Sequence, residues 1–178
     1  MRLPRSFYAR PTVEVARDLL GKVIRHGAAS ARIVETEAYL GTDDAAAHSA
    51  RGPTPRTTVI FGAPGRAYVY LIYGMHYCLN VVAERDGVAG CVLIRAAEPL
   101  AGVIHLSNGP GKLTRALGIT LEHYGADLTR GPLTIHAPAS DEKFDIATSP
   151  RIGINKAADL PLRFFIRGNS FVSREPRR

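Results

Sequence analysis

Two glutamates and a tyrosine alternate in the segment at residues 33–40, which reads Ile-Val-Glu-Thr-Glu-Ala-Tyr-Leu. Alternate residues of a β-strand face the same side, so Glu35, Glu37 and Tyr39 would project together, with neighbours about 6.7 Å apart. Two acids and a phenol on one face, followed by a loop that carries His48, are typical of an acid–base cluster. A solvent-exposed strand with ordinary glutamates has the same spacing, and the spacing alone leaves both interpretations open.

A second segment, residues 68–77, reads Tyr-Val-Tyr-Leu-Ile-Tyr-Gly-Met-His-Tyr and is rich in aromatic side chains. Tyrosine rings stack on nucleic-acid bases, and their hydroxyls form hydrogen bonds. Tyr73 stands just before Gly74, at a predicted turn, where an outward-pointing ring could wedge into a stack of bases. An aromatic-rich core hairpin fits the same pattern, so this segment also has two interpretations.

The elements that must position these residues follow from hydrophobic periodicity and turn signals. Thr12 and Gly21 predict the two ends of a helix at residues 13–20, and Gly111 precedes a second helix at 112–117. Residues 41–57 read as a long loop, which is typical of a functional region. Strands are predicted at 22–26, 31–40, 58–61, 67–73, 76–84, 90–96, 133–136 and 162–167. The predicted fold class is α+β, a single domain over residues 1–178 with a curved antiparallel β-sheet core and a few short flanking helices.

Composition narrows the class of protein further. A chain of 178 residues with 46% hydrophobic residues suits one globular domain rather than a disordered chain. The formal net charge of +7 suggests a polyanionic partner, although the charge is spread out and the basic end at 174–178 reads as a solvated tail. Cys78 and Cys91 lie in apolar runs and are expected to be buried free thiols rather than metal ligands. No apolar run has transmembrane length and no signal-peptide core is visible, so we expect an intracellular protein with no membrane association.

The two segments, with five others, resemble the alkyladenine (3-methyladenine) DNA glycosylase family. The matching stretches follow the family order at 32–41, 46–49, 54–56, 68–75, 92–99, 108–113 and 161–165. A single stretch would be a weak signal, but the ordered set covers nearly the whole chain and favours the catalytic and base-stacking interpretations. The chain departs from the family between Pro99 and Asn108, where family members usually carry a longer charged segment.

The resemblance implies a catalytic group of three residues. Glu37 matches the general base, and Arg95 matches an arginine that helps to hold the attacking water. Ile152 is implied to contribute its backbone carbonyl to the same water. The matched catalytic positions include no lysine, so water rather than a Schiff base is the expected nucleophile.

The resemblance also implies the residues that contact DNA. The flipped base would be sandwiched and hydrogen-bonded by Tyr39 and His48, stacked on Tyr70, and screened by Asn80, which excludes the amino group of normal guanine. Further contacts are implied for the wedge Tyr73, the flanking Met75 and three looser candidates for phosphate binding, Arg51, Arg56 and Lys112.

The function implied is that of a monomeric DNA repair glycosylase that needs no cofactor or metal. It would flip alkylated or deaminated purines out of double-stranded DNA and hydrolyse the N-glycosidic bond, leaving an abasic site. Two alternatives are a non-catalytic nucleic-acid-binding module with a decayed pocket and a hydrolase of free nucleosides. The first would lack Glu37 or Arg95, and the second would need neither the wedge Tyr73 nor the net charge of +7.

Overall fold

The computed structural model describes residues 1–139 and 142–173, so the basic tail at 174–178 lies outside the described residues. The helices in the described part are α1 (Arg5–Tyr8), α2 (Thr12–Asp18) and α3 (Pro110–Ala116). The strands are β1 (Val23–His26), β2 (Ala29–Tyr39), β3 (Ala67–Ile72), β4 (His76–Val82), β5 (Cys91–Ala101), β6 (Leu133–His136), β7 (Ile146–Ser149) and β8 (Arg163–Ile166). Short 3₁₀ turns occur at His48–Arg51, Thr58–Phe61 and Leu121–His123.

All pairings among these strands are antiparallel, and the strands form one curled sheet in the order β3-β4-β5-β2-β1-β6. The long strand β2 is central, because β5 pairs along one of its edges while β1 and β8 share the other. Strand β7 extends the sheet beyond β8. The predicted α+β class with a curved antiparallel sheet and short helices is confirmed.

Strand β2 presents two different faces, as its alternating sequence predicts. Thr36 points into the core beneath α2, where its hydroxyl donates to the Ala16 carbonyl at 2.8 Å. Glu35 and Glu37 both reach Arg95 of β5 on the polar side. Both glutamates are fully buried, so the solvent-exposed interpretation of this strand is wrong.

The sequence prediction of a strand at residues 58–61 is wrong, because Thr58–Phe61 forms a 3₁₀ turn. The Thr54 carbonyl accepts hydrogen bonds from the backbone N–H groups of Thr57 and Thr58, which winds the chain instead of extending it. The side chains of Thr54 and Thr57 also bond to each other at 2.9 Å. A short apolar run does not reveal such turn chemistry.

The predicted role of Thr12 as an N-cap is also wrong, since Thr12 is the first residue of α2. Its backbone N–H and its hydroxyl both donate to a Glu84 carboxylate oxygen, at 2.6 and 2.7 Å. The free N–H groups at this helix start are therefore satisfied by a side chain from a distant loop. The helix ends at Asp18, earlier than predicted, and Gly21 with φ 81° donates its N–H to the Ile33 carbonyl of β2 and does not cap the helix.

Cys78 and Cys91 are free and buried, as expected. Among the helices of the described residues, none is long and apolar enough to span a membrane.

Candidate active site

A cavity of about 180 Å³ opens over β3, β4 and β5. Its lining includes most of the predicted catalytic and base-contacting residues, which come from six separate elements of the chain: Tyr39, His48, Tyr70, Asn80, Arg95 and Ile152. Tyr68, Cys78 and Leu93 complete much of the remaining wall. Such a concave, largely apolar cavity with a few converging polar groups is the usual form of a small-ligand pocket.

Glu37 lies buried directly behind this lining. One carboxylate oxygen accepts the Ile152 N–H at 2.8 Å, and the other accepts the Tyr39 hydroxyl at 3.0 Å. Arg95 Nη1 lies 3.5 Å from the first oxygen. The structure thus brings Ile152 to Glu37 through its N–H, whereas the predicted contribution of its carbonyl to a water stays a prediction.

Burial raises the pKa of Glu37, while Arg95, the Ile152 N–H and the Tyr39 hydroxyl pull it down. The net direction is upward, so this carboxyl holds a proton more tightly than an ordinary glutamate. A carboxylate with a raised pKa is a stronger base, and such tuning by burial is common in catalytic carboxyl groups.

Arg95 is fixed by a second, deeper carboxylate. Its Nε lies 3.1 Å from Glu35 Oε1, and Arg163 Nε lies 2.7 Å from the same oxygen. Glu35 also accepts the backbone N–H and the hydroxyl of Ser173, at 2.6 and 2.7 Å. These partners compensate the buried charges, which would otherwise be costly.

The loop after β7 is anchored by another buried ion pair. Arg151 Nη2 donates to Asp44 at 2.9 Å, and Arg151 Nη1 donates to the Ala38 carbonyl at 2.9 Å. Both charged side chains are fully buried. This pair holds the neighbouring Ile152 N–H against Glu37.

The opposite wall of the cavity is aromatic. The rings of Tyr68 and Tyr70 lie 5.3 Å apart, and the His48 ring meets Tyr70 edge-on at 4.7 Å. His48 Nδ1 is 2.9 Å from the Tyr68 hydroxyl. Burial, followed by the charge of Arg56, lowers the pKa of His48, which favours a neutral imidazole at neutral pH.

Asn80 forms part of the cavity floor. It is buried, and its amide nitrogen donates to the Tyr68 carbonyl at 3.1 Å. This hydrogen bond fixes the orientation of the carboxamide, so its bulk restricts the space inside the cavity.

Tyr73 and Met75 stand at the tip of the hairpin between β3 and β4. The two residues are 83% and 71% exposed, which is unusual for large apolar residues at one turn. Tyr73 has a φ of 53°, a left-handed conformation that is uncommon outside glycine. The outward turn predicted for Tyr73 is therefore present, and an exposed strained aromatic residue is a feature of binding sites.

The three candidate phosphate contacts lie around the cavity. Arg51 and Arg56 line an open cleft of about 640 Å³ that shares Ala46 and His48 with the cavity. Lys156, which the sequence did not single out, lines the same cleft. Lys112 lies on α3, whose first residue lines the cavity, and its ammonium donates to Asn108 at 3.2 Å.

Within the described residues, no group of three or more His, Cys, Asp or Glu side chains is placed to hold a metal ion. The site consists of a cavity with aromatic walls, next to the buried carboxylate of Glu37 and the guanidinium of Arg95. Such a site can hold a planar ring beside an acid–base group.

Comparison with known proteins identifies the family. The model of the methylpurine-DNA glycosylase family matches residues 6–170. Proteins named "Putative 3-methyladenine DNA glycosylase" include one from Methanoculleus marisnigri that is 48% identical over 98% of this chain and its own full length. Another, from Anaeromyxobacter dehalogenans, is 53% identical over 98% of this chain and 87% of its own length. The chain belongs to the methylpurine-DNA glycosylase family, a family of DNA repair hydrolases.

Proposed function

We propose that this protein excises damaged purines from double-stranded DNA by hydrolysing the N-glycosidic bond with a water activated by Glu37. The observation that carries the proposal is the buried Glu37–Arg95 pair, with 3.5 Å between Nη1 and Oε1, in which Arg95 lines an aromatic cavity and Glu37 lies behind it. Alkylated and deaminated purines, such as 3-methyladenine, 7-methylguanine, hypoxanthine and ethenoadenine, are the proposed substrates.

In this proposal the damaged nucleotide leaves the base stack and enters the cavity. Its flat ring stacks between Tyr39 on one side and Tyr70 with His48 on the other, as aromatic walls favour. Asn80 occupies the space that the amino group of guanine would need, so an undamaged guanine fits poorly.

The chemical step separates the base from the sugar. The bond between the sugar carbon and the base nitrogen breaks, and its electron pair leaves with the base, which becomes neutral if it was cationic and takes up a proton from solvent if it was neutral. Positive charge then develops on the sugar, and the Glu37 carboxylate stabilises it. Glu37 accepts a proton as the water oxygen bonds to the sugar carbon, while Arg95 and the Ile152 carbonyl orient that water. The product is an abasic site in an unbroken strand.

The surface around the cavity is proposed to hold the bent duplex. The exposed Tyr73 fills the space left by the flipped base, and Met75 supports it. Arg51, Arg56 and Lys112 contact phosphates without reading sequence. The proposed enzyme acts as a monomer inside the cell, with access to chromosomal DNA.

The most direct test uses duplexes that each carry one defined lesion. We expect base release that produces strand breaks only after alkali treatment, because an abasic site is alkali-labile and a monofunctional enzyme does not cut the strand. Cleavage of free nucleosides without activity on duplexes would support the nucleoside hydrolase instead. Tight binding with no base release would support the non-catalytic module.

Asn80→Ser is expected to change lesion preference. The smaller side chain opens space for a 2-amino group, so excision of 7-methylguanine should rise relative to hypoxanthine by about ten- to two-hundredfold, as for other small pocket alterations. Single-turnover rates on the two lesions measure this ratio. A uniform slowing of both lesions would contradict the assignment of Asn80 as a filter.

Tyr73→Ala is expected to slow release of all lesions together. The wedge lies outside the cavity, so its loss lowers the fraction of flipped DNA without changing the lesion ratio. The defect should shrink for lesions opposite a mismatch, since those bases cost less to extrude. The matched control is Leu100→Ala, which truncates an exposed apolar side chain near the end of β5, away from this hairpin. An altered lesion ratio in Tyr73→Ala would place this ring inside the pocket.

A further inference from the structure

Both tyrosines proposed to stack on the base carry a guanidinium over the ring. The guanidinium carbon of Arg56 lies 5.0 Å from the centroid of Tyr70, and that of Arg151 lies 4.6 Å from the centroid of Tyr39. The two tyrosines line the base cavity, whereas neither arginine does. Arg56 instead lines a separate surface cleft together with Tyr70, and Arg151 is buried against Asp44, so each cation covers its ring from outside the cavity.

The two cations differ in their surroundings. Arg151 is fully buried and paired with Asp44, which offsets its charge locally. Arg56 lies at the surface, in the open cleft beside the cavity. Within the described part of the chain no salt bridge involves Arg56, so its charge has no carboxylate partner in the protein, and a DNA phosphate contacted as proposed above would offset it in part.

Arg56 lies close to three side chains of the aromatic cavity wall, those of Tyr70, His48 and Tyr68. Besides lying over Tyr70, it is a cause of the lowered pKa of His48, after burial. Burial raises the pKa of Tyr68 to about 12, and Arg56 opposes that rise through its charge and a hydrogen bond. Arg56 is thus the charged group that, after burial, acts on both His48 and Tyr68 in this wall.

A cation behind an aromatic ring weakens attraction on the other face. The ring quadrupole draws cations to either face, but a bound cation withdraws electron density from both. A positively charged base on the cavity side gains less from stacking and is also repelled by the guanidinium. A neutral base of the same shape experiences neither effect. The distance from the Arg56 guanidinium to a base stacked on Tyr70 falls within about 8–10 Å, the Debye length at physiological salt. Screening by salt therefore reduces the repulsion between the two charges without removing it.

We infer that Arg56 is a specificity-determining residue that biases the pocket toward neutral damaged purines and against cationic alkylated purines. This inference rests on the proposed function. Cationic purines remain substrates, because their positive charge already makes them good leaving groups. Neutral lesions lack that activation and depend more on favourable binding in the pocket. A tyrosine without a cation over its ring would instead bind cationic bases more strongly than neutral ones.

Arg56→Gln and Arg51→Gln form a matched pair for the test. Each removes one positive charge from the same cleft, but only Arg56 lies over a cavity ring. The substrates are duplexes of one sequence that carry 7-methylguanine, which is cationic, or hypoxanthine, which is neutral, each opposite cytosine. Single-turnover excision measured against enzyme concentration gives the efficiency on each lesion.

We expect Arg56→Gln to raise the ratio of 7-methylguanine to hypoxanthine efficiency by about two- to fivefold, the size of an exposed cation–π interaction. Arg51→Gln should weaken both reactions equally and leave the ratio unchanged. Arg56→Lys retains the charge, so its ratio should stay close to that of the wild type.

Three results would overturn the inference: an unchanged ratio in Arg56→Gln, an equal change in Arg51→Gln, or a change in Arg56→Lys as large as in Arg56→Gln. A failure of the proposed function looks different, because the unaltered protein would then release neither base from duplex DNA.

Discussion

Glu37→Gln is expected to abolish base release and to leave binding to lesion-containing DNA nearly intact. The amide keeps the shape of the carboxylate and can still accept the Ile152 N–H, but it cannot accept a proton from water. General-base catalysis alone contributes about 10²- to 10⁴-fold, and the lost negative charge removes further stabilisation of the developing sugar cation. Single-turnover assays on 7-methylguanine, compared with the spontaneous loss of that base, measure the effect.

The matched control is Glu98→Gln, which removes a carboxylate from β5 outside the cavity. Glu98 lies 3.5 Å from Arg32, and its replacement should leave base release near the wild-type rate. Wild-type release by Glu37→Gln would show that another group activates the water. Equal loss in both variants would point to a general effect of charge on the fold.

The pH dependence provides a second signature of Glu37. A general base acts only when ionised, and burial raises the pKa of Glu37, so base release should increase with pH at values above the range of an ordinary glutamate. 7-Methylguanine is the suitable substrate, because it needs no protonation to leave. A flat profile across the acidic range would contradict the assignment.

The same raised pKa has a consequence for stability. Because the folded protein binds this proton more tightly than the unfolded chain, stability is fully present below the unfolded pKa and is lost as pH rises through the folded pKa. Glu37→Gln should therefore unfold at a higher temperature than the wild type at neutral pH, with the difference vanishing in acid. Such a gain would show that the site sacrifices stability for activity.

Local pattern was sufficient to predict much of the fold, and the family resemblance supplied most of the residues of the cavity lining. Alternation in β2 placed Glu37 and Tyr39 on one face, and the glycine after Tyr73 predicted an exposed turn. The ordered motifs then identified the family. In each correct prediction, the relative positions of the residues are determined within one strand or one hairpin, or the residues belong to a matched motif.

The supporting contacts could not be predicted, because they join residues that are distant in sequence. Arg151 meets Asp44 across 107 positions, and Ser173 meets Glu35 across 138. One sequence contains no signal for such pairs. The spacing also suggested that Glu35 shares the role of Glu37, whereas the structure gives Glu35 two guanidinium partners and a place beneath the cavity.

Glu35→Gln should destabilise the protein more than any surface charge change. Its carboxylate compensates Arg95 and Arg163 in the interior, and breaking a buried ion network by removing one partner costs about 3–5 kcal/mol. For a domain of this size each kcal/mol lowers the melting temperature by about 2–4 °C, so the loss is large. The matched control is Asp145→Asn, which removes a carboxylate from an exposed pair with Arg167 and should cost at most about 1 kcal/mol.

Glu35→Gln should also change catalysis in a way that instability alone does not. The negative charge of Glu35 raises the pKa of Glu37 by repulsion. Without that charge, Arg95 has Glu37 as its main carboxylate partner. The rise of the base-release rate with pH should therefore occur at lower pH than in the wild type. If Glu35→Gln fails to fold, Ser173→Ala removes one donor to Glu35 and tests the same network at a cost of about 1 kcal/mol. A cost in Glu35→Gln no larger than in Asp145→Asn, or a rise with pH that stays in place, would show that Arg95 is held by Glu37 alone.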